Sequence, residues 1–84
     1  MENYKTRDMF EAALIYAKHS DKFVELEPEG RDYLFVFSDK DVCEKLSKEY
    51  YSKKAEVNAK DYSDALRTMK DFIFSKKRYD EHTA

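Results

Sequence analysis

FVELEPEGRDYLFVF, residues Phe23–Phe37, is the stretch that decides the fold. Two runs rich in aromatic and β-branched residues flank the tetrapeptide Glu27-Pro28-Glu29-Gly30. Proline at the second position of a turn suits type I geometry, and glycine at the fourth takes the left-handed conformation. The stretch therefore reads as a β-hairpin with a three-residue loop closed by a glycine bulge. In that register Glu27 faces Arg31, Val24 faces Leu34 and Phe23 faces Phe35. One face then carries Val24, Leu26, Leu34 and Val36, and the other Phe23, Glu25, Tyr33, Phe35 and Phe37. Both faces are apolar, which a lone hairpin does not tolerate in water. Either helices cover both sides, or a partner covers one.

Helical patterns lie on both sides of the hairpin. Upstream, Thr6 reads as an N-cap with Asp8 in the first turn, followed by Phe10, Ala13, Leu14 and Ala17 at helical spacing. Met9 and Tyr16 widen that stripe, and His19-Ser20-Asp21 ends it. Downstream, a second helix starts at Ser38 or Asp39, buries Val42, Cys43, Leu46 and Tyr50, and ends at Tyr51. Residues 53–57 alternate apolar and charged side chains and read equally as a short third strand or an extended connector. Asn58 caps a third helix whose stripe is Tyr62, Ala65, Leu66, Met69, Phe72 and Ile73. The expected architecture is α+β: helix, hairpin, helix, an optional short strand, helix, with three helices packed on a small antiparallel sheet of two or three strands. One domain spans residues 1–84, with an ordered part from 3 to 78 and a frayed tail at 79–84.

Composition narrows the function classes. The chain has 84 residues, 42% hydrophobic and 40% charged, with one Gly and one Pro, so long elements with few connections are expected. A single cysteine, Cys43, excludes an intramolecular disulfide scaffold. No signal peptide and no membrane span are read, and a cytoplasmic location is expected. Net charge is −2, too small for a mimic of the phosphate charge of DNA. Residues 1–42 carry 6 basic and 10 acidic side chains, whereas residues 43–84 carry 10 basic and 8 acidic.

Several short motifs resemble a known family. Tyr4-Lys5-Thr6-Arg7-Asp8 opens the first helix, Phe35-Val36-Phe37 leads into an acidic helix start, and Tyr50-Tyr51 ends helix two. With Ala65-Leu66-Arg67 and Lys70 in the last helix, the chain is similar to a family of small uncharacterised domains found in bacteria and bacteriophages. The resemblance covers roughly residues 3 to 78. It implies a phage or mobile-element setting, and it brings no activity and no functional residues. The family's aromatic pair often includes a tryptophan where this chain has Tyr50 and Tyr51, so no role requiring an indole carries over.

Catalytic constellations are not found. Cys43, His19 and His82 stand alone, without metal-ligand spacing, and Gly30 as the only glycine allows no phosphate-cradling loop. The acidic pairs Asp8 with Glu11, Asp39 with Asp41 and Glu27 with Glu29 sit at helix starts and a turn, where capping and solvation explain them. No cofactor, metal or small-molecule substrate is expected. Two candidate surfaces remain. Phe23, Tyr33, Phe35 and Phe37 form an aromatic hairpin face that either a helix covers or a protein partner, including a second copy, would use. Arg67, Lys70, Lys76, Lys77 and Arg78 form a basic set on helix three and its exit, which a nucleic acid could contact. The expected function is a non-enzymatic protein-interaction module, with a nucleic-acid-binding accessory protein as the alternative.

Overall fold

A computed structural model describes residues 2–83, with side chains described through Arg78. Six elements follow in order: β1 (Tyr4–Thr6), α1 (Met9–Lys18), β2 (Phe23–Glu29), β3 (Asp32–Phe37), α2 (Lys40–Tyr51) and α3 (Ala59–Thr83). A single 3-10 turn, Ser20–Lys22, links α1 to β2. The sheet is antiparallel throughout, with strand order β1-β3-β2. The class is α+β, three helices on a three-stranded sheet, as the sequence predicts.

A third strand is present, but at Tyr4–Thr6; of the two readings of residues 53–57 the connector is the one found. Tyr4–Thr6 pairs with β3, Tyr4 opposite Phe37 and Thr6 opposite Phe35. Thr6 is therefore the end of a strand, and Asp8 is the N-cap of α1. The Asp8 carboxylate accepts from the amides of Phe10 (2.9 Å) and Glu11 (3.2 Å), while the Thr6 hydroxyl accepts from the Asp8 amide at 3.1 Å. Two capping side chains stand two residues apart, and the one nearer the free amides takes the cap. Residues 53–57 form no strand, because their amides serve the end of α2. Lys54 and Ala55 both donate to the Glu49 carbonyl, at 2.9 and 3.1 Å, around Lys53 in the left-handed region at φ 64°.

The hairpin register also differs from expectation. Glu29 pairs with Asp32, Glu27 with Leu34 and Leu26 with Phe35, so Gly30 and Arg31 alone make the turn. Gly30 has φ +61°, which suits a tight hairpin to the strand twist. Pro28 is instead inside β2, which is tolerable because β2 is an edge strand. The irregularity falls between Phe23 and Glu25, a bulge at Val24. Phe23 and Leu26 are three residues apart and could not share a face on a regular strand, and the bulge turns both inward. Leu26 thereby joins Tyr33, Phe35 and Phe37, and Glu25 leaves them for the face of Leu34 and Val36. The turn chemistry loses to sorting of apolar from charged side chains across the whole strand.

All three helices contribute to the core on the inner face. Phe35, Phe37 and Leu26 from the sheet meet Ala12, Ala13 and Ile15 of α1, Cys43 and Leu46 of α2, and Ala65 and Met69 of α3. Phe23 closes one side: its ring stacks on Phe72 at 4.9 Å and meets Phe37 and Tyr16 edge-on at 5.5 and 6.1 Å. Five consecutive residues of α1, Glu11 to Ile15, are buried, so this helix is enclosed by neighbours rather than faced by one. That arrangement overturns the expected single stripe: Phe10 is 50% exposed and Glu11 is buried. α2 and α3 follow their predicted caps, Asp39 and Asn58, the latter accepting from the Lys60 and Asp61 amides. α3 reaches Thr83, while the expected fraying of 79–84 lies outside the described side chains.

The outer face of the sheet is closed by charged side chains. Lys5 pairs in register with Val36, and Glu27 with Leu34, on strands either side of β3. Their ion pair, 2.8 Å, crosses the central strand between those two apolar residues. Arg7 and Glu29 pair similarly at the next position. Val36 is only 1% exposed there, and the lysine and glutamate stems supply apolar cover while their ends stay wet.

A buried carboxyl group joins β1, α1 and α2. Glu11 accepts from the Tyr4 hydroxyl (3.0 and 3.2 Å) and the Ser47 hydroxyl (2.8 Å), and is 1% exposed. Glu11→Ala is expected to cost about 2–4 kcal/mol in urea unfolding at neutral pH, because two hydroxyls lose their acceptor in a closed site. Glu11→Gln, which keeps an acceptor oxygen, should lose less. The triple change Tyr4→Phe, Glu11→Leu, Ser47→Ala should recover most of the loss, and an unchanged Glu11→Ala midpoint would remove the network from the account of stability.

Candidate interaction surface

The hairpin aromatics are placed by the structure inside this chain. Phe35 and Phe37 are fully buried under the helices, and Phe23 is half-buried among Tyr16, Phe37 and Phe72. While the fold is intact, these three rings serve the core. Tyr33 is half-buried and lines a cleft of about 290 Å³ at the hairpin tip, with Arg7, Arg31, Asp32, Phe35, Ile73 and Lys77.

The basic set divides between two sides of α3. Arg67, Lys70, Lys77 and Arg78 are exposed. Lys76 is half-buried on the core side, beside a shallow groove formed with Phe23, Leu26, Phe72 and Ser75. Consecutive helical residues are rotated by about 100°, so a run of three cations cannot form one patch.

A different surface was not read from the sequence. Phe10 and Tyr51 are 50% and 62% exposed, and they lie beside half-buried Tyr50 and Tyr62. Hydrogen bonds fix the arrangement around the first turn of α1. Tyr51 donates to the second oxygen of the capping Asp8 at 3.0 Å, and Tyr62 donates to the Phe10 carbonyl at 3.1 Å. Tyr50 and Tyr51 meet edge-on at 5.0 Å. The end of α2, the start of α1 and the start of α3 thus present several rings with their hydroxyls already bound. One signal was available: adjacent helical residues cannot both enter one stripe, so either Tyr50 or Tyr51 had to face outward. Phe10 gave none, because its spacing fits the stripe.

Electrostatics make these tyrosines neutral donors. The hydrogen bond to Asp8 pushes the Tyr51 phenol up to about 12, with smaller contributions from burial and Glu11. Burial, then the charges of Asp8 and Glu11, raises Tyr50. Burial, then Tyr50 and Asp8, raises Tyr62. The thiol of Cys43 is 0% exposed, lies 3.4 Å from the Ser38 carbonyl, and is pushed up to about 11, chiefly by burial. A thiol so placed is held protonated against a carbonyl rather than beside an imidazole.

Among the described residues, no group of three His, Cys, Asp or Glu side chains is placed to hold a metal ion, and no helix is long and apolar enough to cross a membrane. No known family, curated protein or solved structure matches the chain.

The raised phenols have a consequence for alkaline stability. Each folded-state value lies above the ordinary 10.0, so the folded form holds its proton where the unfolded chain has lost it. Their stabilisation is complete below about pH 10 and is lost as pH climbs towards 12. A phenolate absorbance titration should show a late-ionising fraction that vanishes in denaturant, and Tyr51→Phe should shrink it. A single ordinary transition in the native protein would contradict the hydrogen bond to Asp8.

Proposed function

We propose that this chain is a non-enzymatic protein-interaction module that engages a protein partner through the surface of Phe10 and Tyr51. The carrying observation is the exposure of these two rings at a point where three helix ends converge. Exposed aromatic clusters are the commonest source of binding energy at protein interfaces, and tyrosine supplies large contact area with few torsions to freeze. Here intrachain hydrogen bonds hold the Tyr51 and Tyr62 hydroxyls before any partner arrives, which lowers the entropy lost on association. The buried Cys43 and the absence of a second cysteine suit a reducing compartment, and we place the protein in the cytoplasm. We place such a partner in a phage or mobile-element setting, as the resemblance of the motifs at residues 4–8, 35–37 and 50–51 implies.

Self-association is better served by this surface than by the sheet edge. Pro28 removes an amide from β2 and the bulge at Val24 breaks its ladder, while the other edge, β1, is only three residues long, so both edges are poor templates for a further strand.

A double variant, Phe10→Ser with Tyr51→Ser, tests the reading. Both side chains are exposed, so its melting temperature should stay within a few degrees of wild type. Affinity for a purified partner, or the self-association constant from sedimentation, should fall by about tenfold or more. A folded double variant with undiminished affinity would place the interface elsewhere.

A further inference from the structure

α3 carries a second surface, which runs from Arg67 to Arg78, with Phe74 about three turns from Tyr62 along the helix axis. Arg67, Lys70, Phe74, Lys77 and Arg78 recur at helical spacing on the side opposite Met69 and Phe72. Phe74 is 62% exposed, and the Arg78 guanidinium lies 5.8 Å from its ring centroid. A phenylalanine in the middle of a solvated cationic face contributes nothing to the core, and it is the most exposed phenylalanine among the described residues.

The cations of this face are exposed and form no ion pair among the described residues, so their charge is open to a ligand. Lys5, Arg7, Lys22, Lys40 and Lys60 each form an ion pair. Arg67, Lys70, Lys77 and Arg78 form none among the described residues, and neither does Arg31 at the hairpin tip. Arg31 and Lys77 share the cleft of about 290 Å³ whose floor is Phe35 and Ile73, so the helix face continues into a cationic notch. Asp64 and Asp71 are exposed on the same side of the helix, three residues before and four after Arg67, but among the described residues Asp71 forms no ion pair and Asp64 pairs with Lys60; Asp32 borders the notch beside Arg31.

We infer that this face binds single-stranded nucleic acid, with Phe74 stacking on a base and Arg67, Lys70, Lys77, Arg78 and Arg31 contacting phosphates. Arg67 to Arg78 spans about 16 Å of helix, enough for several successive phosphates. A ring with a guanidinium beside it is a stacking platform that accepts any base, and only an unpaired base can reach it. An acidic protein is the competing occupant, and the effect of Phe74→Ala together with poly-glutamate competition separates the two. Duplex would satisfy only the cations. The inference concerns a surface separate from Phe10 and Tyr51, and stands or falls independently of them.

Fluorescence anisotropy with labelled single-stranded DNA and RNA oligonucleotides of mixed sequence tests it. Affinity should fall by about 130-fold between ~50 and ~200 mM salt, the slope expected for five phosphate contacts on a single strand. Lys70→Glu with Lys77→Glu should abolish binding at low salt, with an unchanged circular dichroism spectrum. Phe74→Ala should weaken binding by about tenfold while leaving the salt slope unchanged, the mark of a stacking rather than an ionic contact. The Phe10→Ser, Tyr51→Ser variant should bind as wild type. The inference is overturned by absence of binding at low salt, by equal or tighter binding of duplex, or by poly-glutamate competing as well as oligonucleotide with Phe74→Ala silent. That last result would identify an acidic protein as the ligand.

Discussion

Glu11 is a carboxyl group enclosed by protein with no cation against it, and three elements meet on its two oxygens. Charge burial of this kind is unfavourable unless donors replace water, and the Tyr4 and Ser47 hydroxyls do so. Its place in the first turn of α1 adds the favourable field of the free amides there. A strand of three residues has little stability of its own, and beyond its pairing with β3 the strand β1 is held by Tyr4, which reaches Glu11, and by Thr6, which receives the Asp8 amide. Ser47 locks α2 to the same point. The tyrosine surface inherits this anchoring, since Asp8 and Phe10 belong to the same helical turn.

The hairpin with two apolar faces is resolved by an unequal division of labour. Helices close the inner face with hydrocarbon and aromatic packing. Ion-paired lysine and glutamate side chains close the outer face by arching over β3. Exposed ion pairs add little stability as such. Here their value lies in the methylene stems held over Val36 and Leu34, and in leaving a charged surface that does not invite another sheet.

What the sequence disclosed follows the strength of each physical signal. α2, α3 and the hairpin were legible because their periodicity runs over many residues, Asn58 is a clear cap, and Ser38 and Asp39 bracket the start of α2 to within one residue. β1 was not, because three residues cannot display an alternation and Thr6 is as plausible a cap as Asp8. The register failed because local turn preference at Pro28 and Gly30 competed with placing Leu26 inside and Glu25 outside, and the longer-range effect won. Phe10 and Glu11 were exchanged between surface and core because α1 is enclosed on most sides, a tertiary fact that no single-helix stripe contains. On α3 the cations were visible in the sequence, whereas Phe74 at their centre was passed over as one more apolar residue.

The pairing of β1 with the far end of β3 also bears on how the chain reaches this structure. Tyr4 and Phe37 are neighbours in the sheet, with α1 and the whole hairpin between them in sequence. The hairpin, α2 and α3 can each form from contacts close along the chain, whereas β1 must close a long loop before it gains any of its ladder bonds to β3. The N-terminal strand is therefore a latch that fastens after the rest has assembled. Glu11 and Ser47, brought together by the docking of α2 on α1, are the catch prepared for it.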